Sequence, residues 1–175
     1  LLALSAVKNN DRVGLITYSE KVVDYVPPKK GRKHVLRLIS QILNTNPSRH
    51  RTNTQEALEF LSRITRKKAV VFVISDFLDA GFETTLNVVN RRHEVIPLVL
   101  TDPMEEKLPN MGLVPFEDPE TGDVLLVDTG NARVRQAYDR SAGEIRRKRD
   151  KMFRRLQIEP IHIRTGDSYV DPLVR

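Results

Sequence analysis

The chain has 175 residues, enough for one domain, of which 39% are hydrophobic and 30% are charged. This balance is typical of a folded globular protein. The chain has no cysteine, which excludes a disulfide scaffold, a thiol catalyst and thiolate metal ligands. It has no apolar run of about 18 residues, so we predict no transmembrane segment and expect a cytoplasmic protein.

The first half of the sequence alternates between strand and helix patterns. In chain order it predicts the end of an apolar helix at 1–7, strands at 12–18 and 21–26 that form a hairpin ended by Pro27-Pro28, a helix around 35–43, a polar loop at 44–51, a helix that begins at Asn53, and a strand at 69–75. Asn53 and Glu56 have the spacing of a capping box. The last of these strands (AVVFVIS) is uninterrupted in its apolar character, which predicts burial on both faces.

The second half continues the alternation. It predicts a short helix at 83–91, a strand at 94–100, a hairpin from 112–116 and 124–128, a long helix at 131–156, and a strand at 158–163. Pro97 lies within a predicted strand, where it cannot donate to the ladder, so we expect a bulge or pairing on one side only.

Strands that alternate with helices predict an α/β fold, a three-layer domain with a mostly parallel sheet. We predict one domain over residues 1–175, in which 112–128 is a hairpin insertion. Such sheets bind ligands beyond the carboxyl ends of their strands. The residues that follow Tyr18, Ser75, Leu100 and Ile163 are therefore the first to consider.

Asp76 and Thr52 are the best candidates for a site. Asp76 directly follows the apolar strand, and Thr52 lies at a junction between a loop and a helix. A carboxylate and a hydroxyl are oxygen ligands that suit Mg²⁺, although two are too few for a complete site. The alternative is that both residues are helix caps or solvated loop residues.

The predicted helix 131–156 carries most of the positive charge. Its ten Arg and Lys residues against three acidic ones give +7, more than the +6 of the whole chain. Arg146, Arg147 and Arg149 are candidates for binding an acidic protein partner, and a solvated helix face is the alternative. Nucleic acid is an unfavoured partner because aromatic residues are sparse and no reading motif is present.

Several segments resemble a known family. They are 11–19 (DRVGLITYS), 27–36 (PPKKGRKHVL), Thr52-Asn53 before a helix, 71–76 (VFVISD), 102–109 (DPMEEKLP), 112–128 (GLVPFEDPETGDVLLVD) and 165–173 (TGDSYVDPL). The chain resembles von Willebrand factor A-type domains, and more closely the bacterial proteins grouped as domain of unknown function 58.

The resemblance implies a doubly wound sheet with a metal-ion-dependent adhesion site that holds Mg²⁺, in which Thr52 and Asp76 are ligands. The other ligands of such sites come from an Asp-x-Ser-x-Ser loop after a first strand, and this sequence has no counterpart of that loop. We therefore expect the first strand and its loop to lie upstream of Leu1, with that strand between 12–18 and 69–75.

The resemblance also implies a function without catalysis. It indicates a protein-binding module that works with a MoxR-type AAA+ ATPase, as an adaptor or co-chaperone for protein clients. One alternative is a metal-independent scaffold that docks acidic partners through helix 131–156. A less favoured one is a metal-dependent hydrolase that uses Asp76 and the acids near Glu105, for which no general base is identifiable.

Overall fold

The structure is a computed structural model that describes residues 1–45, 51–117 and 122–174. Its elements are α1 (Leu2–Lys8), β1 (Val13–Tyr18), β2 (Val22–Lys29), α2 (Arg32–Asn44), α3 (Thr54–Ile64), β3 (Val70–Ser75), α4 (Glu83–Arg92), β4 (Glu94–Thr101), α5 (Pro103–Glu106), β5 (Leu113–Glu117), β6 (Val124–Asp128), α6 (Ala132–Leu156), β7 (Ile161–Arg164) and α7 (Val170–Val174). The predicted order of strands and long helices is confirmed. Residues 46–50 of the predicted loop and 118–121 of the predicted hairpin turn lie outside the described residues.

The first hairpin extends beyond its predicted end because a bulge accommodates two prolines. β1 and β2 pair antiparallel, and the register sets one residue of β1, Gly14, against Pro27 and Pro28 of β2. This two-against-one arrangement is a β-bulge. A Cβ at Gly14 would lie 3.0 Å from the ring of Pro28, so the close approach requires glycine. The prediction that Pro27-Pro28 ends the strand is wrong, because an edge strand with a bulge does not need their N–H groups.

The second sheet is parallel and has β4 at its centre, between β3 and β7. Pro97 of β4 lies in register with Val73 of β3, and the pairing with β7 begins one residue later, at Leu98 opposite Ile161. Pro97 is thus paired on one side only, which is one of the two outcomes that its missing donor predicted.

One face of the parallel sheet packs against α3, α4 and α6. The core cluster contains Leu58, Val73, Phe77, Phe82, Leu86, Val89, Val95, Val99, Met152, Phe153 and Ile158. Burying one large apolar side chain contributes about 1.5–3 kcal/mol. These contacts therefore hold the three helices on the sheet and fix the loop that follows β3.

The opposite face of β3 is exposed, so the prediction that 69–75 is buried on both faces is wrong. Val70, Phe72 and Ile74 are 53%, 39% and 54% exposed. Successive strand residues point to opposite faces, and the described helices cover only the face of Val73. The apolar run predicted the strand correctly, but it did not predict that one face of the strand is exposed.

The described strands form three separate sheets: the β1–β2 hairpin, the parallel β3–β4–β7 sheet and the β5–β6 hairpin. The α/β class with a parallel sheet is confirmed, and so is the antiparallel pairing within 112–128. α3 contacts β1, β2 and α4, so it links the first hairpin to the core. Of the helices within the described ranges, none has the length and apolar character that a membrane crossing requires.

Candidate site at the carboxyl ends of two strands

The carboxyl ends of β1 and β3 come together around the phenol of Tyr18. Tyr18 and Ser75 are the last residues of β1 and β3. The Tyr18 hydroxyl lies 3.3 Å from Oγ1 of Thr54, the first residue of α3, and the Ser75 side chain is near enough to influence its pKa. Strands of two sheets and the start of a helix therefore meet at the kind of edge where α/β proteins bind ligands.

Asp79 ties the loop after β3 to the start of α3. Thr54 is fully buried, its N–H donates to Asp79 Oδ2 at 2.7 Å, and its hydroxyl donates to Asp79 Oδ1 at 3.0 Å. Because that hydroxyl has a single proton, the Tyr18 hydroxyl donates to Thr54 Oγ1. Asp79 thereby satisfies one of the N–H groups that the first turn of a helix leaves unpaired.

Burial and nearby negative charge shape the protonation of this network. Burial raises the pKa of Tyr18, the neighbouring hydroxyls of Thr54 and Ser75 oppose the rise, and the charges of Asp79 and Asp76 add to it. Burial likewise raises the pKa of Asp79, against the hydrogen bonds from Thr54 and with a further contribution from Asp76. Two carboxylates within electrostatic reach in a partly dry setting make a place where a cation would be stabilising.

Asp76 lies where the sequence predicted, directly after β3, and its backbone is held firmly. Its carbonyl accepts a hydrogen bond from Nη1 of Arg149 at 2.9 Å, and its Oδ1 accepts from the N–H of Leu78 at 3.1 Å. The next residue, Phe77, has φ 57°, a left-handed conformation that is uncommon for a bulky residue. In the described part of the chain no donor reaches Asp76 Oδ2, so this oxygen remains available to a ligand.

Thr52 is exposed on the loop that precedes α3. The N–H of Asn53 donates to the carbonyl of Ser19 at 2.9 Å, which anchors this loop to the end of β1. The Asn53 side chain accepts from the N–H of Glu56 at 3.1 Å, so Asn53 is the N-cap that the sequence predicted. Thr52 is therefore an exposed hydroxyl next to a fixed cap.

The donor atoms at this edge suit a hard divalent cation. Asp76 through Oδ2 and Thr52 through its hydroxyl are the residues that could hold Mg²⁺, whereas Asp79 is engaged by Thr54. Within residues 1–45, 51–117 and 122–174, no group of three or more His, Cys, Asp and Glu side chains is arranged to hold a metal. The two residues would supply part of the octahedral oxygen shell that Mg²⁺ requires.

The three arginines predicted for partner binding have different surroundings on α6. Arg147 is exposed, Arg146 lies 3.2 Å from a carboxylate oxygen of Glu106, and Arg149 is 7% exposed. Arg149 packs inward and holds the Asp76 carbonyl, so it is not part of an open basic surface. Burial lowers the pKa of Arg149, and the neighbouring Asp150 and Asp76 charges oppose that change.

The two adjacent acids of α5, Glu105 and Glu106, have different bonding partners. Glu105 accepts from the N–H of Asp102 at 3.2 Å and closes a capping box. Glu106 pairs with Arg146 and, at 3.4 Å, with Arg164. The two side chains diverge, as adjacent residues on a helix do, so they do not form a paired-acid centre.

Sequence reasoning missed Tyr18, Thr54 and Asp79 as members of the site. Thr54 is two residues after Thr52, and Asp79 is three after Asp76. The signal that could have identified Thr54 and Asp79 is that each follows a predicted site residue of the same type within a few positions.

The described residues thus define an α/β protein with an oxygen-rich cluster at the carboxyl ends of β1 and β3. The chain belongs to the family described as "Protein of unknown function DUF58", whose sequence model matches residues 1–148.

Mycobacterial proteins are similar to this chain. An uncharacterized protein of Mycobacterium avium is 29% identical over 153 residues, which cover 86% of this chain and 90% of that protein. Uncharacterized proteins of Mycobacterium bovis and Mycobacterium tuberculosis are 27% identical over 169 residues, which cover 94% of this chain and 53% of theirs. The chain therefore spans about half the length of these last two relatives. No solved structure matches it.

Proposed function

We propose that the chain belongs to a von Willebrand factor A-like, Mg²⁺-dependent protein-binding module without catalytic activity. In this proposal it acts in the cytoplasm as an adaptor or co-chaperone of a MoxR-type AAA+ ATPase. The observation that carries the proposal is the convergence of the Thr52 loop and Asp76 at the carboxyl ends of β1 and β3.

The chemistry of such a module needs no nucleophile and no general base. A Mg²⁺ ion that is held by hydroxyl and carboxylate oxygens keeps open positions in its shell. An Asp or Glu of a partner protein completes the shell, so that binding depends on the metal. Oδ2 of Asp76, which no donor among the described residues reaches, and the exposed hydroxyl of Thr52 support this role.

The unpaired edges of two strands support the doubly wound fold. In the described ranges β1 pairs only with β2, and β3 pairs only with β4. Each of these two strands therefore has one unpaired edge. The side chain of Ser75, at the end of β3, is near enough to Tyr18, at the end of β1, to influence its pKa, so the two strands end at the same edge. A parallel strand placed between β1 and β3 would join them into one sheet and would bring its own loop to Asp76.

The ATPase partner is proposed from the family resemblance. The segments 102–109, 112–128 and 165–173 carry the part of the resemblance that distinguishes this family from other A-type domains. They contain α5, the strands β5 and β6, and most of α7.

The test uses the natural full-length protein and a MoxR-type ATPase from the same organism. Calorimetry measures binding of Mg²⁺, and co-sedimentation measures binding of the ATPase with Mg²⁺ or with EDTA. We expect Asp76→Ala to weaken both at least about tenfold, while circular dichroism and the unfolding midpoint stay close to wild type. Asp11→Ala is the matched control, because Asp11 is an exposed carboxylate before β1, at the opposite edge. Undiminished Mg²⁺-dependent binding by Asp76→Ala would refute the proposal.

A second candidate is a metal-independent scaffold that docks acidic partners through α6. The charge of this helix favours it, and most of its basic residues are exposed. Reversal of Arg140, Arg147 and Arg154 to Glu should then abolish association, while EDTA should leave it intact. Arg149 is unsuitable for this test because it is buried.

A further inference from the structure

The β5–β6 hairpin is separate from the other two sheets, and both of its long edges lack a neighbouring strand among the described residues. Its base is held firmly by Thr129, which is fully buried. The N–H and the hydroxyl of Thr129 donate to the carbonyl of Gly112 at 2.8 Å and 2.7 Å, and Nη1 of Arg135 donates to the carbonyl of Thr129 at 2.6 Å. A hairpin of two strands is marginally stable in water by itself, so this anchored hairpin would gain stability from a further strand.

The hydrogen-bond pattern of the hairpin shows which backbone groups face outward. In an antiparallel pair of strands, hydrogen-bonded residue pairs alternate with pairs that are not hydrogen-bonded to each other. The bond from Thr129 to Gly112 marks a hydrogen-bonded pair, and Pro115 and Leu126 form the third pair farther along the same register. Pro115 and Leu126 are therefore not hydrogen-bonded to each other, and the N–H and C=O of Leu126 point away from β5. The same alternation turns the backbone of Val124 outward.

The outward edge of β6 is apolar on both of its faces. Val124, Leu125 and Leu126 are consecutive and are 65%, 69% and 60% exposed. Because successive side chains of a strand alternate between faces, Leu125 lies on one face and the other two residues lie on the opposite face. An open edge that is flanked by apolar side chains on both faces is a template for pairing with another strand.

The outer edge of β5 differs, because Pro115 lies at its middle. The nitrogen of Pro115 faces outward by the same alternation, and proline has no N–H to donate. A proline blunts an edge strand against pairing. β6 has no proline, and its only charged residue is Asp128 at its end. A further strand is therefore expected beside β6 and not beside β5.

The sequence of β6 is complementary to itself when a second copy runs antiparallel. A two-fold axis at Leu126 sets Leu126 opposite its own counterpart, Leu125 opposite Val127, and Val124 opposite Asp128 of the other copy. The pairs at Leu126 and Val124 join backbone groups that point outward, so they can exchange hydrogen bonds. A parallel arrangement in the same register would place two Asp128 carboxylates side by side, which is destabilising.

We propose that β6 is a dimerisation edge, where a second copy of this chain adds its own β6 in an antiparallel register centred on Leu126. The result is a four-stranded sheet in the order β5–β6–β6–β5, with Pro115 at both outer edges. Because both outer edges are blunted, association stops at two copies and gives a closed two-fold symmetry, the commonest symmetry of oligomers. The proposal does not depend on Mg²⁺.

The test uses the full-length protein in EDTA. Sedimentation velocity between about 1 and 100 μM measures the monomer–dimer equilibrium, and hydrogen exchange reports whether the N–H of Leu126 is covered. We expect a dimer, and protection of this N–H that increases with protein concentration. A monomer with an unprotected N–H would leave the edge to a strand of another protein and would overturn the proposal. Protection that is independent of concentration would also overturn it, because another part of the full-length chain would then cover the edge.

Three lysine variants test the register. Leu126→Lys places two like charges opposite each other and should weaken dimerisation at least about tenfold. Val124→Lys, on the same face of the same strand, places its charge opposite Asp128 and should leave the affinity within about threefold of wild type or raise it. Leu113→Lys is the matched control, because Leu113 is 62% exposed on the same face but lies on β5. It should have no effect.

The control also separates edge pairing from packing of the apolar face. Loss of the dimer in both Leu113→Lys and Leu126→Lys would indicate face-to-face packing and would overturn the proposal, as would equal dimerisation by wild type and Leu126→Lys. If circular dichroism shows that Leu126→Lys disturbs the hairpin, Leu126→Cys tests the register instead. Opposite residues in a hydrogen-bonded pair are close enough for a disulfide. Mild oxidation should therefore cross-link Leu126→Cys to the other copy but not Leu113→Cys, and absence of this cross-link would contradict the register.

Discussion

Replacing Thr54 by Val removes a buried hydroxyl while nearly preserving the shape of the side chain. The hydroxyl donates to Asp79 Oδ1 at 3.0 Å and lies 3.3 Å from the Tyr18 hydroxyl. The Thr54 N–H bond to Asp79 Oδ2 at 2.7 Å remains. A hydrogen bond to a charged group contributes about 1.5–3 kcal/mol. Because Tyr18 also loses its acceptor, we expect the free energy of unfolding to fall by about 2–3 kcal/mol at pH 7.

The protonation of Asp79 supplies a second readout. The pKa of Asp79 in the folded chain lies above its ordinary value because of burial. At a pH between the pKa of the unfolded chain and that of the folded chain, folding therefore takes up a proton. The free energy of unfolding declines as pH rises through this range. Loss of the Thr54 hydroxyl raises this pKa further. The difference in the free energy of unfolding between wild type and Thr54→Val should therefore narrow as pH falls toward about 4. A hydrogen bond from the Thr54 hydroxyl to a neutral carboxyl contributes less than one to a carboxylate.

Urea unfolding followed by circular dichroism measures both effects, and Thr52→Val is the matched control. Thr52 is exposed, so its substitution should change stability by less than about 0.5 kcal/mol. In the proposed function it should instead weaken Mg²⁺-dependent binding. A cost below about 0.5 kcal/mol for Thr54→Val would refute the assigned network.

Two further predictions concern the core. Phe153 is 1% exposed and packs edge-on against Phe77, with ring centroids 5.2 Å apart; Phe153→Ala should cost about 3–5 kcal/mol in urea unfolding, and a loss below about 1 kcal/mol would contradict this packing. His93 is 4% exposed, and neither ring nitrogen has a partner in the described residues. Burial, with a smaller contribution from Arg92, lowers the pKa of His93. The unfolded chain thus binds the proton more readily, and stability should decline as pH falls below about 6.5. His93→Leu should remove this part of the decline between pH 8 and 5.5, and an unchanged slope would exclude His93 as its source.

Local patterns predicted the elements well because each pattern is set by neighbours along the chain. The helical spacing in 35–43, the Asn53 cap and the one-sided pairing at Pro97 are all present. The extension of β2 past Pro27-Pro28 required knowledge of its partner, since only the glycine opposite makes room for the prolines.

The candidate site was predictable only in part. Asp76 was found because the end of an apolar strand marks it. The Tyr18–Thr54–Asp79 network joins residues that are distant in sequence, and no local pattern connects them.

The inward position of Arg149 had a signal that was overlooked. The apolar stripe of α6 includes Ala142, Ile145 and Met152, and Arg149 lies four residues after Ile145 and three before Met152. Its place on the stripe indicates the core, whereas its charge indicates solvent. The Asp76 carbonyl accepts a hydrogen bond from the guanidinium, which lets this charged side chain lie in the core.

The position of β4 has a consequence for folding during synthesis. β4 pairs with β7 only after the β5–β6 hairpin and α6 have been made. The roughly 60 intervening residues take about 3–12 s to leave the ribosome. During that time Leu98 and Val99, buried in the finished protein, lie on a strand with one open edge. Pro97 has no N–H to offer another chain, so it shortens the stretch of β4 that could pair wrongly while α6 is still emerging.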